Sequence, residues 1–345
     1  MNATIECLSN IKTITNYFLS NYGNFNFQTQ TLTATYSNLL FQLFMTKEKY
    51  IAPNDFKNII GELNPLFKGM HAADAKDLVF FIIETLHKEN NILKNNIGNN
   101  INAENDFNQL EIESRDENIM LQKFRVDYNM KNKSIISDTF YGINRSVMKC
   151  SGCNISKYSF QTFNLQIFQL KKLKEDKIKE IGQEFYNGLN LYDAFLYQQK
   201  EEFLNGDNMI YCNNCKQLQN GSHQQSIYEL PYVLIIILNR GRNNQDFNEE
   251  FSIPEILDFK EQNALFNINS PFQKFYLCGI VKHLGESGSS GHFIAYCRND
   301  YKDKFMCYND ASFTEVSVEE AMSSKISDKE NEKKTPYILF YHFLE

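Results

Sequence analysis

Two C-x-x-C pairs, Cys150-Ser-Gly-Cys153 in VMKCSGCN and Cys212-Asn-Asn-Cys215 in IYCNNCK, constrain this chain more than any other feature. Each pair forms a turn whose two thiolates can face one point, and two such turns let four sulfurs converge tetrahedrally on a zinc ion. The 58 residues between the pairs exceed the loop of a compact zinc ribbon. The two turns must therefore cap strands or hairpins that run side by side. A thiol at all four positions leaves no place for a water ligand, which points to structural rather than catalytic zinc. The competing assignment is four reduced, metal-free cysteines that merely occupy turns. Cys7, Cys278, Cys297 and Cys307 lie in apolar stretches and fit small buried hydrophobes. The opening MNATIECLSN has no basic segment followed by an apolar one, so no export signal is visible and the thiols are expected to stay reduced.

A chain of 345 residues is long enough for two or three subdomains. Apolar residues make up 42% and charged residues 22%, an ordinary globular balance that excludes a wholly disordered chain. The strongly apolar run from Val233 to Leu238 is far shorter than the ~20 residues that span a bilayer, so no membrane segment is expected. A net charge of −7 argues against nucleic acid held through its phosphates and would suit a basic partner. A cytoplasmic or nuclear location is expected.

Apolar residues at Ile5, Leu8, Ile11 and Ile14 recur at a spacing that predicts a helix with one buried face. Thr33 to Met45 and Ala73 to His87 (ADAKDLVFFIIETLH) carry the same helical pattern, so the chain to about residue 87 reads as an all-helical lobe. The stretch 88–116 is dense in Asn and poor in packing groups, which predicts a flexible insertion. From Ile135 the pattern turns to strands, at Tyr158–Leu170, Tyr232–Leu238, Phe275–Lys282, His292–Arg298, Lys304–Tyr308 and Tyr337–Phe343. A short helix is expected within Leu189–Phe203. The fold class is α+β.

The segment HLGESGSSGHFIAYCRNDYKDKFMCYND carries the chemistry. A Gly/Ser-rich loop, Gly285 to Gly291, delivers His292 onto a strand, and a polar turn returns the chain toward Asn309 and Asp310. If the hairpin centres near 300–301, His292 and Asn309 lie opposite each other on one face, about 5 Å apart. The Asn309 oxygen could then accept an imidazole N–H, fixing the tautomer and leaving the other ring nitrogen free as a base. The alternative is a histidine that ends a glycine loop for structural reasons. His71, His87, His223 and His342 have no such setting, and His283 reads as structural.

The whole arrangement resembles the ubiquitin-specific protease family, papain-like cysteine deubiquitinases. MNATIECLSNI resembles the segment just after the nucleophile in the cysteine box, where Cys-Tyr precedes Met-Asn. DAKDLVFFIIETLHKE resembles the helix of the second box, LPYVLIIILNRG a family strand, GHFIAYCRN with YND the histidine box, and TPYILFYHF its closing strand. The two C-x-x-C pairs match the zinc-bearing fingers. The resemblance implies a right hand: a helical thumb at 1–120, fingers at 135–230, and a palm of antiparallel strands from 121–134 and 231–345. It implies His292 as general base, Asn309 as orienting residue and Asp310 as an acid near the oxyanion. Asp74 and Asp77, three apart on one helical face, map to positions that hold the basic ubiquitin tail. Structural zinc would sit on Cys150, Cys153, Cys212 and Cys215. Ubiquitin or ubiquitinated proteins are the implied partners, with a further complex through the Asn-rich insertion.

Departures from the pattern carry weight. The family's nucleophilic cysteine belongs two residues before Met1, so the sequence is expected to begin just after it and to be inactive unless upstream residues exist. Cys7 cannot substitute, lying about two helical turns along and about 12 Å away. Ala72 and Ala73 stand where Gln is usual, and Phe305 where Trp is common. The expected function is a cysteine-type deubiquitinase cleaving after the ubiquitin C-terminal Gly; the alternative is a catalytically dead ubiquitin-binding pseudoenzyme or scaffold.

Overall fold

The computed structural model describes the chain except residues 70–72, 94–115, 242–246, 248, 262–265, 267, 289, 300, 324–332 and 345. At its centre, Val233–Asn239 forms a strand whose first six residues are fully buried. Successive side chains of a strand point to opposite faces. Val233, Ile235 and Ile237 accordingly join one apolar core, and Leu234, Ile236 and Leu238 join the other. The run has no polar alternation because both its faces are dry.

This strand belongs to an eight-stranded sheet. Its path runs Ser312–Val316, Lys304–Asn309, Ser290–Asn299, Lys274–Ser287, Lys334–Phe343, Val233–Asn239 and Gln166–Gln169, with Ile256–Asp258 paired to Lys274–Ser287. Every pairing is antiparallel except that of the edge strand Gln166–Gln169, which runs parallel to its neighbour.

Helices α1 (Asn2–Ser9), α2 (Lys12–Ser20), α3 (Leu32–Met45), α4 (Asn54–Leu63) and α5 (Ala75–Asn90) pack around the first core with Ile5, Phe18, Leu40, Ile60 and Ile82. The helical run anticipated over Ile5 to Ile14 is two helices, broken at Asn10 and Ile11. There Ile11 turns extended, Thr15 Oγ1 donates to the Ser9 carbonyl at 2.6 Å, and Asn10 Nδ2 donates to the carbonyls of Cys278 and Arg298 at 3.3 Å. Those last two bonds fasten α1 to the sheet. The opposite core is closed by Leu170–Ile181, Leu191–Gln198 and Phe259, with Phe195 ringed edge-on by Phe168, Phe259 and Phe266. The run expected to continue as strand to Leu170 turns helical at that residue.

A second sheet is ordered Ser156–Phe163, Gly142–Cys150, Gly221–Glu229 and Glu202–Leu204; one cysteine pair follows its strand Gly142–Cys150, and the other lies in a separate hairpin of Ile210–Cys212 and Gln217–Gln219. A polar helix, Glu117–Lys131, lies along the second sheet through Phe124 against Phe160 and through Arg145 Nη1 bonded to Glu117 Oε1 at 3.0 Å. In the Asn-rich stretch, 88–90 complete α5 and 94–115 lie outside the described residues. No helix among the described residues is long and apolar enough to cross a membrane.

Because Ile236 is wholly buried, Ile236→Ala should cost about 2–5 kcal/mol of unfolding free energy in a denaturant titration. A loss below about 1 kcal/mol would contradict the two-sided burial of this strand.

Candidate active site and metal centre

The four cysteines meet as anticipated. Cys150 closes strand Gly142–Cys150 and Cys212 closes Ile210–Cys212, so the strand ends bring both turns together. The four Sγ atoms all lie within 4.8 Å of one another, with Cys150 to Cys215 at 4.0 Å and Cys153 to Cys212 at 3.7 Å. A tetrahedral ion with metal–sulfur bonds near 2.3 Å needs sulfurs about 3.8 Å apart, so the set fits zinc. The two turns share one backbone design. Each ends on a residue with positive φ, Asn154 at 58° and Lys216 at 57°, whose N–H donates to the carbonyl of the first cysteine at 2.8 and 2.7 Å. The Cys215 N–H donates to Cys212 Sγ at 3.4 Å, and hydrogen bonds of this kind pull the Cys212 thiol down to about 6, toward the thiolate that a metal requires.

His292 is brought to Asn309 by a register different from the one anticipated. The hairpin pairs Ala295 with Tyr308 and Asn299 with Lys304, two residues out from a pairing of 292 with 309. A slip of two preserves the face, because side chains alternate with a period of two. The two groups are thus diagonal neighbours rather than directly opposed, and His292 Nε2 lies 2.8 Å from Asn309 Oδ1. With the amide oxygen accepting, Nε2 carries the hydrogen. Nδ1 is the nitrogen left unpaired among the described residues. Asp310 Oδ2 stands 3.5 Å from Nε2, and Asp310 Oδ1 accepts from Asn2 Nδ2 at 2.8 Å. Asn2 and α1 were not singled out in the sequence as part of the site; only Met-Asn beside the resemblance to a cysteine box hinted at it.

The glycine before His292 is required. Gly291 has φ +155°, and a Cβ there would sit 2.2 Å from Cε1 of His283. That buried imidazole is wedged edge-on between Phe247 and Phe293. His283 thus supplies a wall against which the backbone entering His292 is pressed.

His292 opens into a cleft of about 370 Å³ lined also by Met1, Asn2, Ala73, Leu78, Phe293 and Asp310. Cys7 is elsewhere. It is buried with its sulfur 4.0 Å from that of Cys297, packed on Gly279. None of the eight cysteines lines the cleft.

Asp74 and Asp77 lie where α5 begins, beside Ala73 and Ala75 of the cleft wall, but Asp74 precedes the helix as its cap while Asp77 is in the first turn. The Asp74 carboxylate accepts from Lys76 N–H at 3.0 Å, Lys76 Nζ at 2.6 Å and, from the strand Lys334–Phe343, Tyr337 O–H at 2.7 Å. Burial opposes its ionisation, yet these hydrogen bonds outweigh burial and hold the carboxyl below its usual range. Lys76 Nζ also reaches Asp77 at 3.8 Å. Tyr337 and Lys76 escaped sequence reasoning, since neither residue type signals a bond to this carboxylate.

Residues 1–341 match the family model of the ubiquitin carboxyl-terminal hydrolases, and the chain belongs to that family of thiol-dependent deubiquitinases. Among its relatives are ubiquitin carboxyl-terminal hydrolase 9 of Saccharomyces cerevisiae, 24% identical over 84% of this chain and 34% of the relative, and ubiquitin carboxyl-terminal hydrolase 2 of Rattus norvegicus, 23% identical over 99% of this chain and 52% of the relative. The chain thus spans about a third to a half of the length of these relatives. In three dimensions it is similar to a chain of the SAGA Ubp8/Sgf11/Sus1/Sgf73 DUB module bound to ubiquitin aldehyde, with a TM-score of 0.69 at 18% identity over 100% of this chain and 67% of that one. The shared fold is the α+β right hand of helices, outer strands and a central sheet, and in this chain the outer strands carry the four clustered cysteines.

One acid near the site has no partner. Glu6, on α1, makes no side-chain hydrogen bond or ion pair among the described residues, and burial raises its pKa from 4.5 to about 7. Folding therefore holds a proton that the unfolded chain releases. The contribution of Glu6 to stability is intact below about pH 4.5 and is lost as the pH rises through about 7. Glu6→Gln cannot ionise, so its melting temperature should gain on the parent's between about pH 5 and about pH 8. A difference that stays flat across that range would contradict a desolvated carboxyl.

Proposed function

We propose that these 345 residues form the ubiquitin-binding and general-base body of a cysteine deubiquitinase that hydrolyses the bond after the C-terminal Gly of ubiquitin. The observation that carries this is the His292–Asn309 hydrogen bond of 2.8 Å at the edge of a cleft, in a chain of this family. In the reaction, Nδ1 of His292 takes the proton of a thiol while Asn309 holds Nε2–H and so the tautomer. The thiolate adds to the Gly carbonyl, the leaving amine departs with the proton from the imidazolium, and water releases the acyl group. Asp310 accepts from Asn2 Nδ2 at 2.8 Å, and we assign it the role of holding that amide near the developing oxyanion. Asp74 and Asp77 hold the cationic tail of ubiquitin at the cleft mouth, and zinc on the four cysteines fixes the outer sheet.

The thiol is the part these residues do not supply, since all eight cysteines are either clustered for metal or outside the cleft. That distribution of thiols favours a second reading, a ubiquitin binder that does not cleave. Met1 lines the cleft beside His292, so a cysteine carried just ahead of it would enter at the start of α1, where free N–H groups favour a thiolate. The 345-residue chain should be retained on immobilised ubiquitin yet show no turnover of a fluorogenic ubiquitin substrate. Asp74→Asn with Asp77→Asn should weaken retention about tenfold at low salt. Loss of retention would sink the ubiquitin assignment, and turnover would show that one of the eight cysteines serves as nucleophile after all. Metal analysis should find about one zinc per chain, with chelation lowering the melting temperature; less than about half an equivalent would argue against the four-thiolate site.

A further inference from the structure

The cleft at His292 does not end at Asn2 and Asp310. Those two residues also line a second cavity of about 430 Å³, on the side away from Asp74 and Asp77, between α1, the end of α3 and the turn after Asn309. Its lining mixes polar groups with apolar and aromatic ones, the latter including Ile5, Phe44, Tyr50, Tyr308 and Phe313. Phe44, Tyr50 and Phe313 are exposed by 51%, 70% and 62%, a large outlay of aromatic surface for one rim. Glu6 stands in the same lining, without a side-chain partner among the described residues.

An unpaired carboxyl among aromatic rings matches one ligand chemistry well: an ammonium on an aliphatic stem. The rings attract the cation through their faces and cover the methylenes, while the carboxylate neutralises the charge. We propose that this second cavity receives the lysine side chain of the conjugated protein, the amine half of the isopeptide bond, with Glu6 as counter-charge to the freed ammonium. The assignment rests on the deubiquitinase reading of the His292 cleft. It gives that reading direction: the ubiquitin tail enters past Asp74 and Asp77, and the lysine leaves past Asp310. The other charged or titratable groups facing Glu6 from the walls are Lys49, Asp310, Tyr308, Tyr50 and Cys297. Lys49, exposed at the rim, makes no ion pair with Glu6. The raised pKa of Glu6 agrees with a site that lacks its cation.

The test needs no catalysis and no ubiquitin. The full chain, with carbon-13 in its glutamate carboxyls, is titrated with Nα-acetyl-lysine N-methylamide and, separately, with the neutral norleucine analogue. The lysine probe should saturate, bind about tenfold more tightly than the norleucine probe, and lower the Glu6 titration midpoint by about one unit, the two effects being linked tenfold for each unit. Glu6→Gln should erase the preference for lysine over norleucine; its fold is checked by the unchanged melting temperature at acid pH, where the parent carboxyl is protonated. Equal affinity for the two probes, or an unmoved Glu6 midpoint, would overturn the lysine assignment while leaving ubiquitin retention untouched. Failure of ubiquitin retention with a saturating lysine probe would instead locate the fault in the deubiquitinase reading.

Discussion

Six consecutive side chains, Val233 to Leu238, are shut off from water on both faces, and most of the molecule is arranged to keep them so. A strand buried on one face can leave the other to solvent; one buried on both needs a layer on each side. The five N-terminal helices supply one layer, and the helices at Leu170–Ile181 and Leu191–Gln198 with their phenylalanines supply the other. The neighbouring strand Lys334–Phe343 repeats the alternation, with Ile338 and Phe340 facing the helices and Leu339 and Tyr341 facing away. The central sheet is therefore a rigid partition, and chemistry can be assembled only along its margin, where the hairpin of His292 emerges.

That margin is where the helical layer and the sheet are stitched together. Asn10 reaches two strand carbonyls, Asn2 reaches Asp310, and Tyr337 reaches Asp74. Each bond ties the helical layer to the sheet, so the starts of α1 and α5 share one frame with the strands around His292. The outer sheet is held differently. It has little apolar core at its tip, where the end of Gly142–Cys150 and the neighbouring hairpin of Ile210–Cys212 converge on four sulfurs instead. A metal there would replace the buried area that the tip lacks.

The sequence made some of this legible and hid the rest for definite reasons. Chemistry with rigid spacing could be read directly: two matched C-x-x-C turns, and a glycine loop running into His292. Long uninterrupted apolar runs, such as Val233–Leu238 and Leu78–Ile83, gave correct elements. The strands Gly142–Cys150 and Gly221–Glu229 went unseen because they are largely polar and half-buried, stabilised by their pairing rather than by apolar alternation. The break at Asn10 was hidden because an apolar spacing of three continues across it, and only a tertiary bond from the asparagine marks the bend. The hairpin register was misjudged by two, yet the pairing of His292 with Asn309 survived, since an even slip leaves both on one face. Contacts such as Tyr337 to Asp74 join residues 263 apart and leave no local trace.

The proposed chemistry depends on the orientation of one imidazole. Long-range proton–nitrogen correlation spectra of the histidine-labelled protein, recorded at a pH where His292 is neutral, report which ring nitrogen holds the hydrogen. The structure predicts the Nε2–H form, with Nδ1 bare toward the cleft and the preference relaxing in Asn309→Ala. A dominant Nδ1–H form in the parent protein would contradict it, because the nitrogen meant to accept a proton would already carry one.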